Sequence, residues 1–184
     1  MAMSESPSRS TSYWVFGYGS LIWNPGFAFL RAERATLWGA HRSLSVYSHH
    51  YRGTEAQPGL VFGLARGGSC RGMAFEVAAD QWDETIGYLR ARELITHVYR
   101  EAERPICLAS GGRMRAVTYL VDEHHVQYAG KLSLVAQAEM VRLAIGQSGP
   151  NIDYVLNTAQ HLRELGIGDR TLDALVRLLG RRPD

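Results

Sequence analysis

Aromatic and β-branched residues fill positions 13–18 and give way at Gly19-Ser20, which predicts a first strand closed by a turn. Asn24-Pro25-Gly26 marks a second turn just behind it. Further strands are predicted at 36–47, 60–65, 72–77, 98–108 and 114–121, with Gly67-Gly68-Ser69 as a hairpin turn between two of them. The segment 48–59 is a polar connection. The period then changes. Trp82, Ile86 and Leu89 follow Asp80, a predicted N-cap, at spacings of four and three, which lines them up on one helix face. A second helix is predicted over 133–145 with Gly146 as its stop. A third starts at Pro150, buries Ile152, Val155, Leu156, Ala159, Leu162 and Leu165 as one stripe, and ends at Gly166. A short Leu-rich helix follows Asp169. Strands fill most of the first two thirds and helices the last third, so the class is α+β rather than alternating βαβ. Short strands interrupted by glycine favour a strongly bent mixed sheet or small β-barrel with flanking helices and a helical C-terminal third.

Composition narrows this picture without changing it. The 184 residues suit one domain, and 46% apolar with 21% charged residues excludes collagen-like, coiled-coil and largely disordered chains. No apolar run approaches the roughly 20 residues of a membrane-spanning helix. Residues 1–12 carry serine at every second position from Ser4 to Ser12 and lack the apolar centre of a secretory signal, so they read as a disordered tail before a single domain over 13–184. The expected setting is cytoplasmic, with no membrane partner. With 20 Lys plus Arg against 18 Asp plus Glu, the formal charge of +2 gives no long-range pull on a polyanion, and the arginines are scattered singly. No nucleic-acid partner is expected. Cys70 and Cys107 form no CxxC pair and suit reduced thiols. His49-His50 and His124-His125 are neighbours that a strand would point to opposite faces, so no metal and no cofactor are expected.

Two features carry chemistry. Gly17-Tyr18-Gly19-Ser20-Leu21-Ile22 follows the first strand with two glycines, which let backbone N–H groups approach a ligand closely. It is neither a phosphate-binding loop of the GxxxxGK[ST] type nor a GxSxG nucleophile elbow. The plain alternative is a tight turn out of a strand. In the first reading, a Cβ at Gly19 stands between the amides and the ligand or demands an unfavourable φ. The second feature is Glu93, which extends the stripe of Trp82, Ile86 and Leu89 by four residues. A carboxylate on that face is buried, and burial raises its pKa toward the range of a general base at neutral pH. Glu84 sits about 180° away around the helix and faces solvent. Alternatively the helix ends near Arg90 and Glu93 is a solvated partner of Arg90 or Arg92.

The run Trp14-Val15-Phe16-Gly17-Tyr18-Gly19-Ser20-Leu21-Ile22-Trp23-Asn24-Pro25 resembles the ChaC-like γ-glutamylcyclotransferases. Arg52-Gly53 with Pro58-Gly59 looks like the family's RG…PG loop, and Cys70-Arg71-Gly72-Met73-Ala74 like its CxGxA strand. Tyr88-Leu89-Arg90-Ala91-Arg92-Glu93 matches the helix-end YLxxRE element, and Ser148-Gly149-Pro150-Asn151-Ile152-Asp153-Tyr154 the late SGxNxxY element. His97 departs from the pattern, standing near a glycine that precedes an aromatic residue in many members. The resemblance implies a cofactor-free lyase that releases 5-oxoproline and Cys-Gly from glutathione. It maps γ-glutamyl binding onto Gly17, Tyr18, Gly19, Ser20, Leu21 and Ile22, and the catalytic glutamate onto Glu93. Arg52, Tyr128 and Tyr154 are candidates for gripping the Cys-Gly half, by their place in matched elements.

The two readings agree in chemistry. The substrate's own α-amine attacks its γ-carbonyl, so the protein needs no nucleophile and no activated water. It has to hold the substrate in a five-membered near-attack geometry, which can be worth roughly 7–11 kcal/mol. One carboxylate of raised pKa can take the ammonium proton and return one to the leaving amine. The competing hypothesis is a non-catalytic binding or regulatory module on the same fold, which has no use for a buried carboxylate. The sequence fixes no oligomeric state.

Overall fold

The computed structural model describes residues 12–180. Strand β1 (Ser12–Gly17) runs out of the predicted tail, of which residues 1–11 lie outside the described range, and Ser12 already pairs with Ala78. Strands β2 (Arg31–Ser48) and β3 (Gly59–Ala78) form one long antiparallel pair. Here the structure corrects the prediction, because Gly67-Gly68-Ser69 is no hairpin turn and the strands predicted at 60–65 and 72–77 are one. The register slips where Gly67 and Gly68 lie opposite Gly39, and all three take positive φ of 91°, 71° and 85°. Such left-handed positions favour glycine, so the irregularity is a bulge that bends both strands while their pairing continues.

Helix α1 (Trp82–Glu93) follows β3 through a 3-10 turn at Ala79–Gln81. Asp80 sits in that turn and Gln81 occupies the N-cap position with no side-chain bond, so the predicted Asp80 cap is absent. Strands β4 (Tyr99–Leu108) and β5 (Arg113–Val121) complete the sheet. The strand order β1-β3-β2-β4-β5 closes into a barrel, because β5 also runs parallel to β1 at Val15–Val117 and to β3 at Leu64–Leu120.

Helix α2 (Leu134–Leu143) is capped by Ser133, whose Oγ accepts from the Ala136 N–H. It ends two residues before its predicted end at 145, because β6 (Ile145–Gly146) pairs with β7 (Gly149–Pro150). Helix α3 (Asn151–Glu164) buries Val155, Ala159 and Leu162 as predicted, while Leu156 is exposed. Helix α4 (Arg170–Leu179) starts from Asp169, whose carboxylate accepts from the Leu172 N–H. One continuous core joins the barrel interior to α2, α3 and α4. No described helix is long and apolar enough to cross a membrane.

Backbone packed on backbone fixes the loop between β2 and β3. A Cβ at Gly53 would collide with the Gly59 nitrogen and the Ser48 and Gln57 carbonyls, and one at Gly146 with Tyr51 and Gly53. The Gln147 and Ser148 N–H groups donate to the carbonyls of His50 and Tyr51 at 2.9 Å. Asn151 is fully buried and joins α3 to β3, accepting from the Leu60 N–H at 2.7 Å and donating to the Leu60 carbonyl at 2.8 Å. Because nothing soft lies around Gly53, Gly53→Ala should cost about 1–3 kcal/mol of stability in urea unfolding. Gly87 faces open space on α1. Gly87→Ala, which relieves backbone entropy inside a helix, should instead stabilise by about 0.5–1 kcal/mol in the same measurement.

Candidate active site

Three parts of the chain meet at a cavity of about 630 Å³: the turn after β1, the end of α1, and the loop and helix start around Arg52 and Tyr154. Its walls include Tyr18, Gly19, Ser20, Leu21, Arg52, Glu93 and Tyr154, seven of the ten residues singled out from the sequence. Gly17 and Ile22 stand behind the wall. Gly17 packs against Leu21 and Phe75, and Ile22 is buried in the core. Tyr128 lies apart from the cavity. It bridges to Val46 and packs with Val98 and Val121 in a separate small cluster, so its place near the matched elements does not bring it to this site.

The turn is a single 3-10 stretch, Ser20–Ile22. Ile22 and Trp23 donate to the carbonyls of Gly19 and Ser20, and Asn24 also donates to Ser20. The Gly19, Ser20 and Leu21 N–H groups have no acceptor among the described residues. They are the open-end donors that any helix start leaves over, and their residues line the cavity. Gly19 has φ −129°, outside the left-handed region, so the expected unfavourable φ is absent. A Cβ at this position would meet only the Tyr154 hydroxyl, at 3.9 Å, and so would project into the cavity.

Glu93 is the last residue of α1, and its side chain is only 17% exposed. Glu84, on the opposite face, is exposed. The expectation of a shorter helix fails, yet part of that alternative holds, because Arg92 Nε lies 3.3 Å from Glu93 Oε1. Arg90 is paired with Glu101 instead. Burial raises the Glu93 pKa above its ordinary value, and the nearby Arg92 charge only partly opposes this.

Sequence reasoning overlooked two contributors. Arg92 donates to the Ser20 Oγ and the Asn24 carbonyl, both at 2.8 Å, and to the Tyr88 hydroxyl at 3.0 Å, so it braces the turn against α1. Its position beside Glu93 was the available signal. Tyr99 also lines the cavity and donates to the Phe62 carbonyl at 2.9 Å, while the Phe62 N–H donates to the Tyr154 hydroxyl at 3.1 Å. Burial, then the neighbouring Tyr154 and Glu93, raises the phenol pKa of Tyr99, and burial with the Glu93 charge pushes that of Tyr154 up to about 12, so both stay neutral. Arg52 donates to the Ser148 carbonyl at 2.6 Å and stacks over the Tyr154 ring at 5.4 Å. It makes no ion pair among the described residues, so its charge remains available to an anionic ligand.

His97, the departure from the family pattern, adopts φ 57°. It takes the left-handed conformation that glycine would take most easily, so the loop after α1 makes that turn with a histidine. Among the described residues, no three His, Cys, Asp or Glu side chains gather as a metal site.

A glutathione-specific gamma-glutamylcyclotransferase of Escherichia coli K12 is 32% identical over 163 residues, covering 89% of this chain and 71% of the relative. A zebrafish glutathione-specific gamma-glutamylcyclotransferase 1 is 31% identical over 169 residues, covering 89% and 85%. Among solved structures, a yeast gamma-glutamyl cyclotransferase specific to glutathione superposes with a TM-score of 0.82 at 20% identity, over 91% of this chain and 95% of that one, which shows a shared fold. The family model for ChaC-like proteins matches residues 13–182, and the chain belongs to that family.

Proposed function

We propose that this protein is a γ-glutamylcyclotransferase that cleaves glutathione to 5-oxoproline and Cys-Gly. The observation that carries the reading is a mostly buried carboxylate of raised pKa, Glu93, sharing one cavity with the unpaired N–H groups of Gly19, Ser20 and Leu21. The names of the curated relatives support the substrate. Cys70 and Cys107 are free thiols, which suits a reducing, cytoplasmic setting.

The chemistry follows from the charges. Glutathione brings two carboxylates and an α-ammonium. The N–H groups of the turn and the Arg52 guanidinium receive the carboxylates, and Glu93 faces the ammonium. Glu93 takes one proton, the freed amine attacks the γ-carbonyl carbon, and the γ C–N bond breaks. The proton held by Glu93 passes to the departing Cys-Gly nitrogen, and the regenerated carboxylate takes the second proton that the ring nitrogen sheds and hands it to the same amine, so 5-oxoproline leaves as the neutral lactam, Cys-Gly as an ammonium, and Glu93 as a carboxylate. No water enters the balance. A purely binding role for the same cavity leaves Glu93 buried at a cost with no task.

Incubating the protein with glutathione and detecting 5-oxoproline tests this directly. Glu93→Gln keeps the volume but cannot carry the proton, so turnover should fall about 10²–10⁴-fold, whereas Glu84→Gln should match the parent. Turnover of Glu93→Gln within a few-fold of the parent would remove Glu93 from the mechanism. The parent's kcat/KM should rise with pH along a limb displaced upward from the ordinary glutamate value of 4.5. Stability should move the other way. A folded pKa above the unfolded one means the folded state binds more protons between the two values, so the parent loses stability as pH rises through that window. Glu93→Gln should therefore melt at an equal or higher temperature than the parent at pH 7, with the gap shrinking toward pH 4.

Gly19→Val should raise KM for glutathione at least about tenfold, equivalent to about 1.4 kcal/mol of binding. Its melting temperature should stay near the parent's, since the added atoms enter the cavity rather than the core. An unchanged KM would remove the turn from the binding site.

A further inference from the structure

Arg42 lies outside the cavity wall and has no part in the chemistry above, yet it is among the most buried charges in the structure, with a side chain 3% exposed. Its guanidinium makes three short bonds: Nε donates to the Tyr18 carbonyl at 2.6 Å, Nη2 to the Arg71 carbonyl at 2.6 Å, and Nη1 to Asp169 Oδ2 at 2.7 Å. A buried charge is tolerated when it is paired and hydrogen-bonded, and here one nitrogen faces a carboxylate and each of the three has an acceptor.

The bond to Tyr18 matters because of what the Tyr18 carbonyl is attached to. It belongs to the same planar unit as the Gly19 N–H, and no peptide in the described chain is cis. In a trans unit the carbonyl and the N–H point in opposite directions. A guanidinium that holds the carbonyl on the core side therefore turns the Gly19 N–H away from the core. Gly19 is a cavity residue, and its N–H has no acceptor among the described residues. Glycine on one side of this unit would otherwise leave it free to rotate. A full positive charge on the carbonyl also polarises the unit, strengthening the N–H as a donor.

We infer that Arg42 is a positioning residue for the cyclisation: by clamping the Tyr18–Gly19 peptide plane it aims and strengthens the Gly19 N–H as a donor to a substrate oxygen. The inference rests on the cyclotransferase reading above. Its other two bonds give the clamp a fixed base. The Arg71 carbonyl belongs to β3, and Asp169 is held in turn as the N-cap of α4. The C-terminal helix is thereby connected to a turn it does not line.

A merely structural role makes a different forecast, so the test compares the two ends of the clamp. Arg42→Lys retains a cation but cannot span three acceptors in the fork geometry of a guanidinium. Asp169→Asn removes the ion pair and leaves the bond to Tyr18 in place. With glutathione as substrate, Arg42→Lys should lose at least tenfold in kcat/KM relative to Asp169→Asn when the two are assayed at temperatures equally far below their own melting points. A cleft of about 350 Å³ opens beside Arg42, so added guanidinium ion should restore part of the activity of Arg42→Ala, while added methylammonium should not. Equal losses in Arg42→Lys and Asp169→Asn, or parent-like kinetics in Arg42→Lys, overturn the inference. If the Arg42 variants do not fold, the parent decides: the Gly19 amide proton should move downfield in NMR when 5-oxoproline binds, and an unmoved resonance overturns the inference. A parent that binds and cleaves normally while these signatures fail leaves the cyclotransferase reading intact. A parent that releases no 5-oxoproline from glutathione overturns both.

Discussion

The site depends on a competition for Arg92. A carboxylate as buried as Glu93 would ordinarily be neutralised by the nearest cation, and a close ion pair would hold its pKa down and take away its value as a base. Arg92 is that cation, but its terminal nitrogens are committed to Ser20, Asn24 and Tyr88, and only Nε lies near Glu93. Desolvation therefore outweighs attraction, and the pKa rises rather than falls. The same bonds hold the turn after β1 against the end of α1. One arginine thus fixes the width of the cavity and leaves the carboxylate basic.

Behind this arrangement lies the barrel. Because the start of β1 pairs with the end of β3, where α1 begins, and Tyr13 stacks on Trp82, α1 runs alongside β1 and its end meets the turn after β1, where Arg92 bonds Ser20 across 72 residues of chain. The long β2–β3 pair, bent at its glycine bulge, carries the 48–59 connection to the same end of the barrel. Glycine contacts between that connection and Gly146 then bring Arg52 within reach of Ser148 and Tyr154. Buried polar bonds from Asn151 and Arg42 pin the helices to the strands at defined points, where apolar contacts alone would allow sliding.

Much of this was legible in the sequence because it is local. Periodicity located the four helices, and the spacing of Trp82, Ile86, Leu89 and Glu93 identified the face that points inward. The turn chemistry of Gly17 to Ile22 was readable from its glycines. What failed was long-range or ambiguous in period. Two glycines in succession signal a hairpin turn or a bulge equally well, and only the pairing of β3 with β2 on both sides of Gly67-Gly68 decides for the bulge. Tyr128 was placed by position in the chain, but an aromatic residue near a matched element says nothing about which side of the barrel it faces. The roles of Arg92 and Arg42 depend on partners up to 127 residues away, and no pattern within a single strand or helix encodes such a pairing.

The sparse catalytic set follows from the reaction. Hydrolysis needs a nucleophile from the protein or an activated water, and each needs its own base and orienting group. Cyclisation draws its nucleophile from the substrate, so the protein's work shifts to holding the chain bent with its amine over its own γ-carbonyl. Positioning of that kind needs rigid donors more than reactive ones. Backbone N–H groups on a braced turn meet this need well, because they have no rotamers to freeze when the substrate arrives. A single carboxylate can then relay every proton, since the nitrogen that loses protons and the nitrogen that gains them are held on the same carbon once the amine has added. The remaining polar residues of the cavity, Tyr99 and Tyr154, spend one hydrogen bond each on the Phe62 backbone, which fixes the wall against which the bent substrate rests.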